Sequence, residues 1–193
     1  EDESRMANRG FMIDPAGAVT ASYDKMHMFD VDLEGGEQYR ESNNYRPGDR
    51  AVVTDTPWGR VGMTICYDVR FPYLYRALAQ AGAGILTIPS SFARTTGKAH
   101  WHTLLKSRAI ETGCFVLAPA QCGDHEDGRQ TYGHALIVAP WGEVLADAGD
   151  EPGVIIADLD MAAVDRARAM VPSLQHDRAF ALPFAPPVRL AGE

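Results

Sequence analysis

Two apolar-rich runs separated by a Pro-Ala-Gly interruption make up "RGFMIDPAGAVTASYDK" (residues 9–25), and that grammar predicts a β-hairpin. The same form returns in "AVVTDTPWGRVGMTIC" (51–66) and "HALIVAPWGEVLADAG" (134–149), each with a Pro-Trp-Gly turn between strand-like runs. Three hairpins are therefore expected. They recur at no fixed period, so a solenoid is not implied.

Helical periodicity lies between these strands. "PYLYRALAQAG" (72–82) opens with proline in a first-turn position, places Leu74, Leu78 and the alanines on one face, and closes on Gly82. "KAHWHTLLKSRAIETG" (98–113) spaces Trp101, Leu104, Leu105, Ala109 and Ile110 near the helical period and stops at Gly113. "AGILTIPSS", "CFVLAPAQ" and "GVIIADLD" (153–160) read as strands, and "MAAVDRARAM" (161–170) as a short helix. The proline-rich tail, 180–193, is expected to run over a surface or a partner subunit. No linker divides the chain, so residues 1–193 read as a single mixed α/β domain with helices on the faces of its sheets.

Composition narrows the function classes. The 193 residues are 46% hydrophobic and 23% charged, as in a globular protein with a substantial core. Lys plus Arg number 18 against 26 Asp plus Glu, a net charge of -8, and no basic cluster is interleaved with aromatics, which argues against nucleic acid as a partner. Gly, Pro or a charge breaks every apolar stretch before the roughly 20 residues of a membrane span, and the opening "EDESRMANRG" does not resemble an export signal. A cytoplasmic protein with no membrane association is expected. Cys66, Cys114 and Cys122 are odd in number and widely spaced, which favours reduced thiols over disulfides or a zinc motif. His100 and His102 lack a third ligand at a recognisable spacing, so neither a metal nor a cofactor is expected.

One stretch carries chemistry. In "MTICYDVRFP" (63–72) Cys66 ends a run with the composition of a buried strand, a polar turn follows, and a helix starts at Pro72. A strand-to-helix junction exposes a side chain at the carboxyl edge of a sheet, where free N–H groups of the turn can receive negative charge. Position alone leaves a packed cysteine the commoner case. Cys114, opening a strand, reads as core, and Cys122 as a loop thiol.

Five ordered blocks complete the picture: "YDKMHMFD", "ESNNYRPG", "GMTICYDVRFP", "RAIETGCFVLAPAQCG" and "YGHALIVAPWG". Together they resemble the nitrilase superfamily of carbon–nitrogen hydrolases, over nearly the whole chain from Met6 onward. The resemblance implies an αββα sandwich that cleaves nonpeptide C–N bonds with Glu, Lys and Cys. Carried over residue by residue, it implies Cys66 as nucleophile, Lys25 as the cation, Glu41 as a second carboxylate and the backbone N–H of Tyr67 as an oxyanion donor. A compact cation suits the stabilisation of both thiolate and oxyanion. Glu37 is an alternative carboxylate, and Asp68, Arg70, Arg108, Glu111, His27 and His134 are expected to be structural or substrate-facing rather than catalytic.

The blocks look most like the branch of ω-amidases and deaminated-glutathione amidases. That likeness implies hydrolysis of the terminal amide of a small carboxylic acid through a thioester, with Arg70 or Arg94 available for the substrate carboxylate. N-carbamoyl or nitrile hydrolysis at the same site is an alternative, and so is a noncatalytic scaffold that keeps the fold. A homodimer or higher homo-oligomer is expected. The superfamily's general-base glutamate lies well before the lysine block, yet only 24 residues precede Lys25 and none matches it. The chain is accordingly expected to be an N-terminally truncated domain lacking roughly its first third, and to be inactive alone.

Overall fold

The computed structural model describes residues 4–33, 36–126 and 128–180. A short strand, β1 (Met6–Ala7), leads into the first predicted hairpin, β2 (Arg9–Ile13) and β3 (Val19–Asp24), which pair antiparallel. Its turn is held by Asp14, whose Oδ1 accepts the N–H groups of Ala16 and Ala18. Next come β4 (Asp30–Asp32), its antiparallel partner β5 (Gln38–Arg40), and β6 (Tyr45–Arg46), which runs parallel to β1. The second hairpin is β7 (Val52–Thr56) with β8 (Gly59–Met63). Then follow α1 (Pro72–Gln80), β9 (Ile85–Thr87), α2 (Arg94–Thr112) and β10 (Phe115–Ala118). A small hairpin, β11 (Cys122–Asp124) and β12 (Gln130–Tyr132), precedes the third predicted one, β13 (Leu136–Val138) and β14 (Val144–Asp147), and α3 (Ala162–Met170) comes last.

Six of these strands form one sheet in the order β14-β13-β10-β9-β8-β7. Its centre, β8-β9-β10, is parallel, and an antiparallel hairpin closes each edge. Parallel neighbours need crossover connections, which α1 and α2 supply. Because successive strand residues face opposite ways, Leu86 and Val116 turn toward the helices and join Leu74, Leu78, Trp101 and Leu105 in the main core. Ile85 and Phe115 point to the other face, where Val61 and Val164 meet them. On that second face the β2–β3 hairpin also lies over the sheet, with Met12 and Ala21 packed against Met63, Ile65 and Tyr23. Helices, six-stranded sheet and overlying hairpin are three successive layers of the expected mixed α/β sandwich. Among the described residues, no helix is long and apolar enough to cross a membrane.

Two expectations need correction. The run 153–160 joins no ladder among the described residues, and Val154 and Ile156 are 88% and 87% exposed. Apolar composition specifies a strand-like segment, but a ladder also needs a partner edge. Helix α2 begins at Arg94, a turn before its apolar pattern starts. Thr95, Thr96 and Gly97 are weak helix formers, so propensity hides this turn. Gly97 is required there because a Cβ would stand 2.3 Å from that of Tyr132. The tail beyond residue 180 lies outside the described residues.

At the end of β8 the chain makes an abrupt turn. Cys66 adopts φ +51°, the left-handed region that L-residues rarely enter, and a 3₁₀ turn, Cys66–Arg70, then feeds α1 at Pro72. Asp68, with no exposure, stabilises this turn. Its Oδ2 accepts the Ile65 N–H at 2.9 Å and the Tyr23 hydroxyl at 2.7 Å, and its Oδ1 accepts the His27 N–H at 3.1 Å and meets His27 Nδ1 at 2.7 Å. One carboxylate thus ties the turn after β8 to the segment after β3 that carries Lys25. Burial and the neighbouring Asp68 push the Tyr23 pKa well up, so its hydroxyl stays a donor. Asp68→Ala is expected to cost about 3–5 kcal/mol, because it strands several buried donors at once. Chemical denaturation of the variant measures it.

Candidate functional site

In open α/β sheets ligands bind beyond the carboxyl ends of the parallel strands. Here the segments leaving those ends, Cys66 after β8, Ser90 and Ser91 after β9, and Pro119 to Gln121 after β10, line one cavity of about 910 Å³. Lys25, from the segment after β3, and Glu41, which follows β5, line the facing wall. Arg129, Gln130 and Thr131 of the β11–β12 hairpin form a third side.

Lys25 is buried, 2% exposed, and an ammonium out of water requires a partner. It donates to Glu41 Oε2. Glu41 is itself held: the Phe29 N–H donates to Oε2 at 2.7 Å and Asn8 Nδ2 to Oε1 at 3.3 Å. The Lys25 backbone is gripped on both sides, its N–H donating to Asn8 O at 2.9 Å and its carbonyl accepting the Gly48 N–H at 2.8 Å. Only glycine fits at 48, since a Cβ would lie 2.3 Å from the Asp24 carbonyl oxygen.

Cys66 Sγ donates to the Ser91 carbonyl at 3.9 Å, and the Cys66 N–H is spent on Pro89 O at 3.0 Å. Burial pushes the thiol above the ordinary cysteine value; the charge of Lys25 pulls it back and Glu41 pushes it up again, with burial prevailing. At neutral pH the resting group is a thiol, so this setting alone does not provide the lowered pKa that a free thiolate nucleophile needs.

Cys66, Lys25 and Glu41, far apart in the chain, therefore surround one cavity. Tyr67 does not line it. Its ring packs edge-on against Phe29 and Phe71, while its N–H, at the head of the 3₁₀ turn, meets no backbone carbonyl among the described residues. Glu37 is engaged elsewhere, accepting from the Tyr39 hydroxyl and from Thr95 Oγ1 at 3.1 Å.

Neither predicted carboxylate-binding arginine lines the cavity. Arg70 lies over the rings of Tyr67 and Phe92 and meets His100. Arg94 pairs with Asp124 at 3.2 Å and lines a smaller adjoining cavity of about 350 Å³. Arg129 lines both cavities, a placement no local motif signals. His27 is taken up by Asp68 and by the Tyr73 hydroxyl, and His134 by Asp147. Arg108, buried, pairs with the exposed Glu111 three residues on and donates to Val69 O at 2.9 Å. Cys114 is buried as expected, whereas Cys122 sits in β11 rather than in a loop.

Known proteins place the chain. The carbon-nitrogen hydrolase family model matches residues 1–169. A protein of Synechocystis sp. named deaminated glutathione amidase is 46% identical over 171 residues, 88% of this chain and 63% of its own length. The crystal structure of the C. elegans NitFhit protein superposes with TM-score 0.85 at 42% identity, covering 91% of this chain and 43% of that one. The structure of the E41Q mutant of the amidase from Nesterenkonia sp. AN1, showing covalent addition of the acetamide moiety of fluoroacetamide at its active site cysteine, gives TM-score 0.73 at 29% identity, covering 88% of this chain and 58% of that one. The chain spans less than two thirds of the length of each of these three relatives. With the match running over most of its residues and the sheet, hairpins and helices in the same arrangement, the chain belongs to the carbon–nitrogen hydrolase family of the nitrilase superfamily.

Proposed function

We propose that this protein hydrolyses the terminal amide of a small carboxylic acid, with Cys66 as nucleophile, Lys25 as the electrostatic catalyst and Glu41 as the carboxylate that orients Lys25. The observation that carries the reading is the left-handed turn at Cys66, which sets its thiol in the same cavity as a buried Lys25–Glu41 pair. Backbone strain of this kind persists where the surroundings over-determine it, and it clusters at active sites.

In this reading Cys66 Sγ attacks the amide carbon as its proton passes to a base. The carbonyl electron pair moves onto oxygen, and the ammonium of Lys25 faces the oxyanion, joined by the Tyr67 N–H that the family resemblance implies. The tetrahedral species collapses, the amide nitrogen takes a proton and leaves as ammonia, and a thioester remains. Water then attacks the thioester, releasing the acid and restoring the thiol. No residue of this chain is assigned as the base, since none matches the family's general-base glutamate. Lys25 lowers the thiol pKa only partway against burial, so proton removal has to be coupled to attack. Arg129, which lines the cavity, replaces Arg70 and Arg94 as the group for a substrate carboxylate.

Ammonia release is to be measured for the protein expressed from its entire reading frame, on terminal amides with and without a carboxylate, nitriles and N-carbamoyl amino acids. Carboxylate-bearing amides are expected to react best, and Cys66→Ala to lose activity by at least about 10³-fold while melting normally; a folded Cys66→Ala protein that still releases ammonia overturns the reading. In alkylation experiments, Cys66 labelling should climb with pH and not level off by pH 9.0, because the native pKa is raised. Lys25→Met should slow that labelling further, since it removes the charge that favours the thiolate. Arg129→Ala should raise KM for the anionic amide about tenfold or more, with kcat nearly unchanged and a neutral amide unaffected.

A further inference from the structure

On α2, His102 lies one residue past Trp101, whose ring is in the core, so the histidine faces outward. Across from it stand His134, in the connection between β12 and β13, and Asp147, at the end of β14. His102 Nε2 lies 3.0 Å from Asp147 Oδ2, and His134 Nδ1 lies 2.9 Å from Oδ1 and 3.1 Å from Oδ2. One ligand atom from each residue can be chosen so that all lie within 4.8 Å of one another. A zinc ion bonded to nitrogen and oxygen at about 2.0–2.1 Å needs ligand atoms about 3.4 Å apart, within the span these donors already cover.

We propose that His102, His134 and Asp147 bind a divalent transition-metal cation of the zinc class, with water completing its coordination. The donor set decides the class: two imidazoles and one carboxylate suit zinc, cobalt or nickel and not magnesium or calcium, which prefer all-oxygen shells. The donors are held in place. Trp101 Nε1 donates to the His134 carbonyl at 2.8 Å, the His134 N–H to Gly149 O at 2.6 Å, and the Gly149 N–H to Asp147 Oδ1 at 2.9 Å. His134 itself adopts φ +54°. Side-chain exposures of 35%, 25% and 33% leave an approach for the ion and its waters.

An ion here would join three elements that share no covalent neighbour. The Tyr132 ring stacks on His134 with centroids 4.4 Å apart, and the preceding residue, Thr131, lines the cavity with Cys66. By strand alternation the two faces of β12 thus serve the metal cluster and the cavity wall. The cation would brace that wall from behind without touching substrate, so its binding can be tested without any assay of hydrolysis.

The test uses metal-free protein carrying Cys66→Ala, which removes the cavity thiol as a rival ligand. It is titrated with Co²⁺ by visible absorption and with Zn²⁺ by calorimetry. One equivalent should bind, without a thiolate charge-transfer band, and Mg²⁺ should not compete. His102→Gln and His134→Asn should each weaken Zn²⁺ binding by at least about tenfold. Asparagine tolerates the left-handed backbone at 134, and the metal-free melting temperature of each variant checks its folding. A second measurement needs no histidine variant: Zn²⁺ should protect His102 and His134, but not His100, from diethylpyrocarbonate, read by mass spectrometry. No binding, binding unchanged in both histidine variants, or no protection overturns the proposal.

Discussion

A carboxylate with no solvent exposure is costly unless its oxygens are satisfied, and Asp68 meets that requirement with donors from two distant parts of the chain. Ile65 precedes Cys66; Tyr23 and His27 flank Lys25. Satisfying one buried charge therefore fixes the turn that carries the thiol against the segment that carries the ammonium. The left-handed backbone at Cys66 persists because these hydrogen bonds, together with Cys66 N–H to Pro89 O, leave the turn no other arrangement.

The sheet supplies the direction of this assembly. Parallel β8, β9 and β10 release their chains at one edge, and three consecutive turns there form a wall without any one of them being long. The facing wall comes from the first fifty residues, where Gly48 and Asn8 clamp the backbone of Lys25. Burial then works in two opposed ways. It makes the Lys25–Glu41 attraction strong, and it disfavours a charged sulfur at Cys66. In the proposed reaction the same ammonium that only partly offsets the thiol's burial meets the oxyanion at full effect, so its stabilisation is greater after attack than before it.

Much of this was legible in the order of residues. The three hairpins follow from turn residues set between strand-forming runs, and α1 from Pro72, its apolar face and Gly82, because such signals act within a few residues of one another. Five motif blocks carried the family and pointed to Cys66, Lys25 and Glu41, three residues the fold does gather round one cavity. The segment 153–160 misled because composition reports burial preference and not the presence of a partner strand. Arg70 and Arg94 do not line that cavity, because proximity to a motif does not give the direction of a side chain.

Sequence alone determined the local elements, the family and which residue types are available for chemistry, since these depend on propensity and on short-range pattern. Only the tertiary structure decided which charges meet. Asp68 became the tie between two segments, Arg129 reached the cavity, and His102 found His134 and Asp147 from separate elements. Such pairings depend on how strands and helices stack across the sheet, and no spacing along the chain encodes that distance.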